Sequence, residues 1–142
     1  MTQPGAPPQI DHSMSLHERR LRLDETTQRI IRCVHVVSNG LGPGFLEKVY
    51  ENALGLELQL SGLRVAQQQR IEVSYRDVIV GDLVADLLVD DSVLVEIKAV
   101  RALDDIFTAQ CMNYLKATGL QVCLLVNFGA PKATVKRVVL GF

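Results

Sequence analysis

The sequence LVADLLVDDSVLVEIK, residues 83–98, has the pattern of two buried strands joined by a short turn. Near-continuous runs of Val, Leu and Ile are typical of strands that are covered on both faces. Three charged residues, Asp86, Glu96 and Lys98, interrupt these runs. An unpaired carboxylate in such surroundings costs several kcal/mol or takes up a proton. The three charges therefore predict a compensating partner in the fold.

The turn between the two strands decides which residues face each other. If residues 90–92 form a three-residue hairpin loop, the two flanking valines pair and Asp86 lies opposite Glu96. Lys98 then lies on the same face, two residues further along the strand. Directly opposed carboxylates repel each other, so this register predicts a cation between them.

Length and composition favour one domain with a core of its own. The chain has 142 residues, of which 48% are hydrophobic. Its formal charge of −1 gives no overall attraction to nucleic acid, which argues against a protein that coats DNA or RNA. The three cysteines are odd in number and lack CxxC spacing, so we expect reduced core thiols and a cytoplasmic location. No apolar run reaches the ~18 residues of a membrane span, so we expect no membrane association.

The N-terminal half predicts a tail followed by two helices. Residues 1–21 contain three prolines and no sustained apolar period, which predicts a largely disordered tail before a single domain over residues 22–142. Helical periodicity begins at Leu23 and stops at Ser38-Asn39-Gly40. A second helix follows Pro43 and ends near Leu60, with Glu47 beside its predicted buried stripe. That stripe consists of Leu46, Val49, Ala53, Leu56 and Leu60.

The remainder of the chain predicts a sheet interrupted by one helix. Alternating apolar residues predict strands at residues 71–75 and 78–80, and Gly81-Asp82 leads from them into the hairpin. Asp104 is the expected N-cap of a third helix that ends near Thr118. Two further strands follow, at residues 122–126 and 135–140. The predicted order is α-α-β-β-β-β-α-β-β.

Several of these residues together resemble a known family. The segment GFLEKVY, residues 44–50, matches a GxxExxY signature. Over residues 23–140 the chain resembles the small GxxExxY proteins of the PD-(D/E)xK nuclease superfamily. Within that span Asp86 matches the first acidic position of the superfamily, Glu96-Ile97-Lys98 its ExK, and Gln110 with Tyr114 the QxxxY motif of its exonuclease-like branch.

The resemblance implies an α/β fold with a restriction-endonuclease-like core, in which helices flank a central mixed sheet. It also implies a phosphodiesterase site that depends on Mg²⁺ or Mn²⁺. Ala85 occupies the position before the first acidic residue, where the superfamily name has proline. Asp86 and Glu96 would bind the ion, with the Ile97 carbonyl and Glu47 as further ligands, because Mg²⁺ needs only one or two protein carboxylates.

The same resemblance assigns roles to the other polar residues. Phosphodiester hydrolysis needs an activated water and neutralisation of the charge that builds up on the phosphoryl oxygens. Lys98 would orient that water and stabilise the transition state. Gln110 and Tyr114 would contact the phosphate or support the metal ligands. The expected partner is nucleic acid, and DNA is favoured as the substrate.

Each assignment has a structural alternative. The three strand charges could form a buried charge cluster, since such clusters occur in cores without a catalytic role. Glu47 could be a solvated helix residue, and Gln110 and Tyr114 a polar edge of a packing helix. For the whole chain, one alternative is a non-catalytic module that keeps the nuclease fold and binds nucleic acid or protein in a larger assembly. A purely structural homo-oligomer is the other.

Overall fold

The computed structural model describes residues 13–141, which form three helices and five strands. In chain order these are α1 (Leu16–Leu41), α2 (Glu47–Leu60), β1 (Val65–Tyr75), β2 (Val78–Val89), β3 (Val93–Lys98), α3 (Asp105–Thr118), β4 (Val122–Asn127) and β5 (Thr134–Val139). No helix in this part of the chain is both long enough and apolar enough to cross a bilayer.

The five strands form one mixed sheet in the order β1-β2-β3-β4-β5. All neighbouring strands are antiparallel except β3 and β4, which are parallel. A parallel pair requires a crossover connection, and α3 supplies it. The predicted α/β fold with a central mixed sheet flanked by helices is confirmed.

Helices cover both faces of the sheet, which explains the near-continuous apolar runs of the central strands. One apolar cluster packs α1 and α2 against one face, and Leu87 and Val95 belong to it. A second cluster packs α3 against the other face and contains Leu88 and Leu94. Successive strand residues point to opposite faces, so each run supplies both clusters. Every residue of β4 is buried.

The hairpin between β2 and β3 has the predicted register. Val89 pairs with Val93 across a loop of residues 90–92. Asp90 and Asp91 have φ values of 51° and 54°, in the left-handed region that Asp tolerates better than most residues. The sequence of the loop therefore suits its backbone conformation, and the three-residue length of the loop sets which residues of the two strands pair.

The first helix begins at Leu16, seven residues before the predicted start at Leu23. Ser15 and Glu18 form a capping box: the Ser15 hydroxyl accepts from the Glu18 N–H at 3.1 Å, and the Glu18 carboxylate accepts from the Ser15 N–H at 3.3 Å. The first turn buries little apolar surface, so it lacks the periodicity on which the prediction relied. The capping pattern was the signal that could have found it. Of the predicted tail, residues 1–12 lie outside the described residues.

Two strand boundaries also differ from the prediction. Strand β1 begins at Val65, six residues before the expected start, and its first part carries three consecutive glutamines that hide the alternation. Strand β2 runs without interruption through Gly81 and Asp82, where a break was expected. The pairs Val73↔Gly81 and Glu72↔Asp82 hold it to β1. The described chain therefore has eight elements instead of nine.

The predicted buried face of α2 is wrong. Of the five predicted residues, Ala53 is half-buried against the core, and the other four, Leu46, Val49, Leu56 and Leu60, are exposed. The buried residues are Tyr50, Glu51, Leu54, Gly55 and Leu58. The Tyr50 ring stacks on Phe128, and its hydroxyl donates to the Gly42 carbonyl, which anchors the helix to the preceding connector. Because α2 has apolar residues on two faces, periodicity alone could not decide its rotation.

The third helix follows the prediction at both ends. The Asp104 side chain accepts from the Ile106 N–H at 3.0 Å, as an N-cap does. Gly119 closes the helix with φ 76°, a left-handed conformation that glycine adopts without steric cost. The three cysteines are buried and free, as expected of core thiols.

Candidate active site

Asp86 and Glu96 face each other where the β2–β3 ladder ends. The last regular pair is Leu87↔Val95. One step further, the Asp86 N–H donates to Glu96 Oε1 at 3.2 Å, and Asp86 Oδ2 accepts from the Ile97 N–H at 2.7 Å. Each carboxylate thus binds a backbone N–H of the other strand. The predicted opposition of these two residues is present, and it fixes one oxygen of each carboxylate.

The electrostatic surroundings disfavour two ionised carboxylates at this point. Burial, followed by the negative charge of Asp86, raises the pKa of Glu96 from 4.5 to about 7. Burial also raises the pKa of Asp86; the Ile97 N–H partly opposes this, and the charge of Glu51 raises it further. At neutral pH the cluster therefore favours either a shared proton or a bound cation.

Tyr114 on α3 supports Glu96 from the other side. Its hydroxyl lies 3.0 Å from the Val84 carbonyl and 3.2 Å from Glu96 Oε2, and it is a donor shared between these two acceptors. Burial and the charge of Glu96 raise the pKa of Tyr114, so the hydroxyl keeps its proton. This geometry suits a residue that orients a carboxylate, one of the two roles that the sequence suggested.

Lys98 brings the nearest positive charge to Glu96. Its Nζ lies 3.8 Å from Glu96 Oε2 and 4.5 Å from the centroid of the Phe107 ring on α3. The side chain is 15% exposed, so the ammonium is largely shielded and still reaches the surface. Contact with the aromatic face adds a cation–π attraction that helps to hold the ammonium in place.

Glu51 is the acidic residue that the sequence reasoning missed. It is 4% exposed on the inner face of α2. Its Oε2 accepts from Lys48 Nζ at 2.8 Å and from Gln67 Nε2 at 2.7 Å. A signal was available, because Glu51 lies three residues before Leu54 on the helix face that carries Tyr50, and a carboxylate on a buried face needs partners.

Glu47 and Gln110 are not brought into this hydrogen-bonded cluster. Glu47 is exposed at the first position of α2, and within residues 13–141 its carboxylate makes neither a hydrogen bond nor an ion pair. Glu51, one helical turn later, contributes the negative charge near Asp86 that was expected of Glu47. Gln110 lies half-buried one turn before Tyr114, and in the same part of the chain its amide has no hydrogen-bond partner. Their predicted roles stay predictions.

Gln68 on β1 links two of the carboxylates. Its Nε2 donates to Glu51 Oε1 at 2.7 Å and lies 3.4 Å from Asp86 Oδ1. This was not predicted, because the polar stretch at the start of β1 carries no periodic signal. The amide thereby connects α2 to β2 across the edge of the sheet.

Asn127 holds together two chain segments near the site, the one that follows β3 and the one that follows β4. Its buried side chain accepts from the Val100 N–H at 3.0 Å and from the Gly129 N–H at 2.9 Å, and it donates to the Val100 carbonyl at 2.9 Å. A Cβ on Gly129 would lie 2.1 Å from the Val100 oxygen, so only glycine fits there. The segment after Lys98 is thus tied to the loop after β4, a contact between distant residues that the sequence did not indicate.

The donor set fits a hard divalent cation bound by few protein ligands. Among residues 13–141, no group of three or more His, Cys, Asp or Glu side chains is arranged to hold a metal ion. Mg²⁺ keeps several waters, however, and one or two carboxylates suffice for it. Within the described residues Asp86 Oδ1 makes only the long contact with Gln68, and burial raises the pKa of Asp86 and of Glu96 because it disfavours their charged forms. These are the features expected around an oxygen-bound cation.

Comparison with known proteins places this geometry in context. A family model described as the PD-(D/E)XK nuclease superfamily matches residues 24–138. The fold is similar to the crystal structure of an alkaline exonuclease from Laribacter hongkongensis, with a TM-score of 0.50 and 18% sequence identity. The match covers 66% of this chain and 56% of that one, so the chain spans little more than half the exonuclease's length. The search of curated proteins gives no match.

Proposed function

The chain belongs to the PD-(D/E)XK nuclease superfamily. We propose that it hydrolyses phosphodiester bonds of nucleic acid with the help of Mg²⁺ or Mn²⁺, and that DNA is the preferred substrate. The observation that carries this proposal is the meeting of Asp86 with Glu96 at the end of the β2–β3 ladder, with Lys98 beside them. The sequence GFLEKVY supports the narrower assignment to the GxxExxY proteins.

Asp86 and Glu96 would hold the ion, and Glu51 is better placed than Glu47 to add a third negative charge. The Ile97 carbonyl stays a predicted ligand. When bound, the divalent ion supplies a Lewis acid and lowers the pKa of its water. Tyr114 donates to Glu96 and so keeps one carboxylate oxygen in a fixed direction. Precise orientation of ligands matters because small displacements reduce catalytic efficiency.

Lys98 supplies the positive charge that the reaction needs at the phosphoryl oxygens. Its ammonium group is held between Glu96 and the Phe107 ring, so little reorganisation is needed when charge develops nearby. We therefore assign Lys98 the roles of orienting the attacking water and stabilising the transition state.

Cleavage of labelled substrates tests the proposal. The full chain is incubated with single- and double-stranded DNA and RNA, with Mg²⁺, with Mn²⁺ or with a chelator. We expect cleavage of at least one substrate that needs metal and falls by ~10²-fold or more in Lys98→Ala, the scale for losing one preorganised electrostatic group. Lys116→Ala is the matched control, because Lys116 is an exposed lysine in the last turn of α3 and lies outside the hydrogen-bonded cluster of the site.

Two outcomes would contradict the proposal. Equal cleavage by wild type and Lys98→Ala would identify the activity as a contaminant. Binding of nucleic acid without cleavage above the chelated sample would instead favour the non-catalytic module. Melting curves of both variants show whether a loss of activity comes from unfolding.

A further inference from the structure

Gln68 has an unusual backbone conformation for a residue within a strand. Its φ is 53°, in the left-handed region. Among the described residues 13–141, the other non-glycine residues with positive φ are Arg76, Asp77, Asp90 and Asp91, all in turns between strands. A residue that is not glycine keeps such a conformation only where its surroundings impose it, and such positions cluster at functional sites.

The pairing of β1 with β2 opens at this residue. Gln67 pairs with Leu87 and Gln69 with Ala85, while Gln68 and Asp86 between them form no regular pair. Asp86 has turned its backbone N–H and one carboxylate oxygen toward β3. The unusual backbone of Gln68 therefore lies directly across from the residue that begins the carboxylate cluster.

The side chain of Gln68 lies between two carboxylates that come from different elements. Its Nε2 is 2.7 Å from Glu51 Oε1 and 3.4 Å from Asp86 Oδ1. The second oxygen of Glu51 is bound by Lys48 and Gln67, and the second oxygen of Asp86 by the Ile97 N–H. An amide nitrogen has two hydrogens and can serve both remaining oxygens, although it adds no net charge.

We propose that Gln68 is a positioning residue that holds Glu51 and Asp86 facing each other and yields to the cation. In the absence of metal the amide hydrogens partly offset the repulsion between the two carboxylates. A divalent cation bound by Asp86 competes with the amide for the same oxygen, Asp86 Oδ1. Gln68 thus sets how readily the cation binds. This inference rests on the proposed function to the extent that the site binds a divalent ion.

Titration of metal into Gln68 variants tests the competition without any measurement of cleavage. Melting temperature and isothermal calorimetry give the Mg²⁺ or Mn²⁺ concentration at half-saturation. Gln68→Ala should lower that concentration by about tenfold, the equivalent of one hydrogen bond to a charged group. Its metal-free melting temperature should fall, because the repulsion between Glu51 and Asp86 is no longer offset.

Gln67→Ala is the matched control. Gln67 also donates to Glu51, at 2.7 Å, and its second contact is Asn52 instead of Asp86. We expect this variant to lose metal-free stability and to keep the wild-type half-saturation concentration. Equal metal responses of the Gln67 and Gln68 variants would show that the effect comes from Glu51 alone, and would overturn the proposal.

Gln68→Gly separates the side chain from the backbone strain. Glycine accepts a φ of 53° without steric cost, so this variant should be more stable than Gln68→Ala and should bind metal as tightly. If Gln68→Ala does not fold, Gln68→Gly can still show whether residue 68 competes with the cation. Weaker metal binding in both variants would make Gln68 a support of the ion and not a competitor, and would refute the proposal.

The titration also distinguishes failure of this inference from failure of the proposed function. If wild type responds to the cation and the Gln68 variants respond identically, only the role of Gln68 is refuted. If wild type shows no cation binding by calorimetry, both the competition and the metal dependence of the proposed nuclease are refuted.

Discussion

Two pairs of acidic residues lie at opposite ends of the same hairpin, and they have very different surroundings. Asp90 and Asp91 form the loop, where their side chains are 32% and 31% exposed. Asp86 and Glu96 lie at the other end of the same strands, where Asp86 is half-buried and the Glu96 side chain is 5% exposed. Water reaches both members of the first pair, whereas in the second pair Glu96 has lost most of its hydration.

The two ends also differ in the positive charge that reaches them. Arg64 Nη1 lies 3.1 Å from Asp91 Oδ2, and the Arg64 N–H donates to Asp90 Oδ1 at 2.9 Å. At the buried end Lys98 approaches no closer than 3.8 Å to Glu96. A satisfied acidic pair at the surface serves the turn, and an under-compensated pair in the interior is suited to bind a cation. The same residue types therefore have different roles because of burial and partners.

The largest difference between the two ends should appear in cleavage. Asp86→Asn should lower the metal-dependent rate by ~10²-fold or more, because it removes a charged group at the reacting centre. Asp90→Asn is the control at the loop end and should leave the rate nearly unchanged; asparagine also tolerates the left-handed backbone there. Comparable losses of cleavage rate in both variants would mean that the acidic residues at the two ends of the hairpin contribute equally to cleavage, despite their different burial.

The pH dependence of stability without metal should reveal the raised pKa of Glu96 at the buried end of the hairpin. Folding raises the pKa of Glu96 from 4.5 to about 7, so the folded state binds more protons than the unfolded state in this interval. The contribution of Glu96 to stability is present below pH 4.5 and is lost as the pH rises to about 7, by up to about 3 kcal/mol. Urea unfolding across this range, with chelator present, measures the loss.

Glu96→Gln supplies the control for that measurement. The amide does not titrate, so the difference in unfolding free energy between variant and wild type isolates the contribution of residue 96. Saturating Mg²⁺ should reverse the trend in wild type, since the ion binds the ionised carboxylates that form as the pH rises. A difference that does not change with pH would refute the inference that burial and the charge of Asp86 raise the pKa of Glu96 in the folded state.

Removal of the Tyr114 hydroxyl should have an intermediate effect on stability. Tyr114→Phe leaves the Val84 carbonyl and Glu96 Oε2 without their shared donor, and a lost hydrogen bond to a charged group costs about 1.5–3 kcal/mol. Thermal or urea unfolding checks this value. An unchanged unfolding free energy would mean that a water molecule replaces the hydroxyl as the hydrogen-bond donor. The carboxylate cluster would then be more accessible to water than its burial indicates.

The smallest effect is expected at the loop. Arg64→Gln removes exposed ion pairs with Asp90 and Asp91 and leaves the backbone hydrogen bond from residue 64 in place. Exposed pairs contribute about 0–1 kcal/mol, so unfolding free energy should fall by less than about 1 kcal/mol. Addition of 1 M salt should reduce even this difference. A larger, salt-insensitive loss would show that the two ends are less different than their exposure indicates.

Local features were predictable from the sequence. The three-residue loop, the Val89↔Val93 register and the resulting opposition of Asp86 and Glu96 follow from strand alternation and loop length. The caps at Asp104 and Gly119 also follow from residue type, because each satisfies backbone groups within a few residues. In these cases the physical cause lies within a short stretch of chain, so the pattern alone was sufficient.

The rotation of α2 was decided only by tertiary packing. Leu46 and Leu56 form as good an apolar stripe as Tyr50 and Leu54, yet the aromatic stack of Tyr50 on Phe128 selects the second face. That choice buries Glu51, whereas Glu47, on the same face one turn earlier, is exposed at the first position of the helix. Periodicity gives the spacing of apolar residues along a helix, and where two faces are apolar it cannot decide which one the core accepts.

The remaining supports of the site connect residues far apart in the chain. Gln68 joins Glu51 to Asp86, and Asn127 joins the segment after β3 to the loop after β4. Neither glutamine nor asparagine shows a local preference that would mark it for such a role. The sequence determined which charges must meet on the hairpin, because strand geometry is local. Tertiary structure decided what surrounds those charges, because burial and long-range hydrogen bonds exist only once helix and sheet have packed.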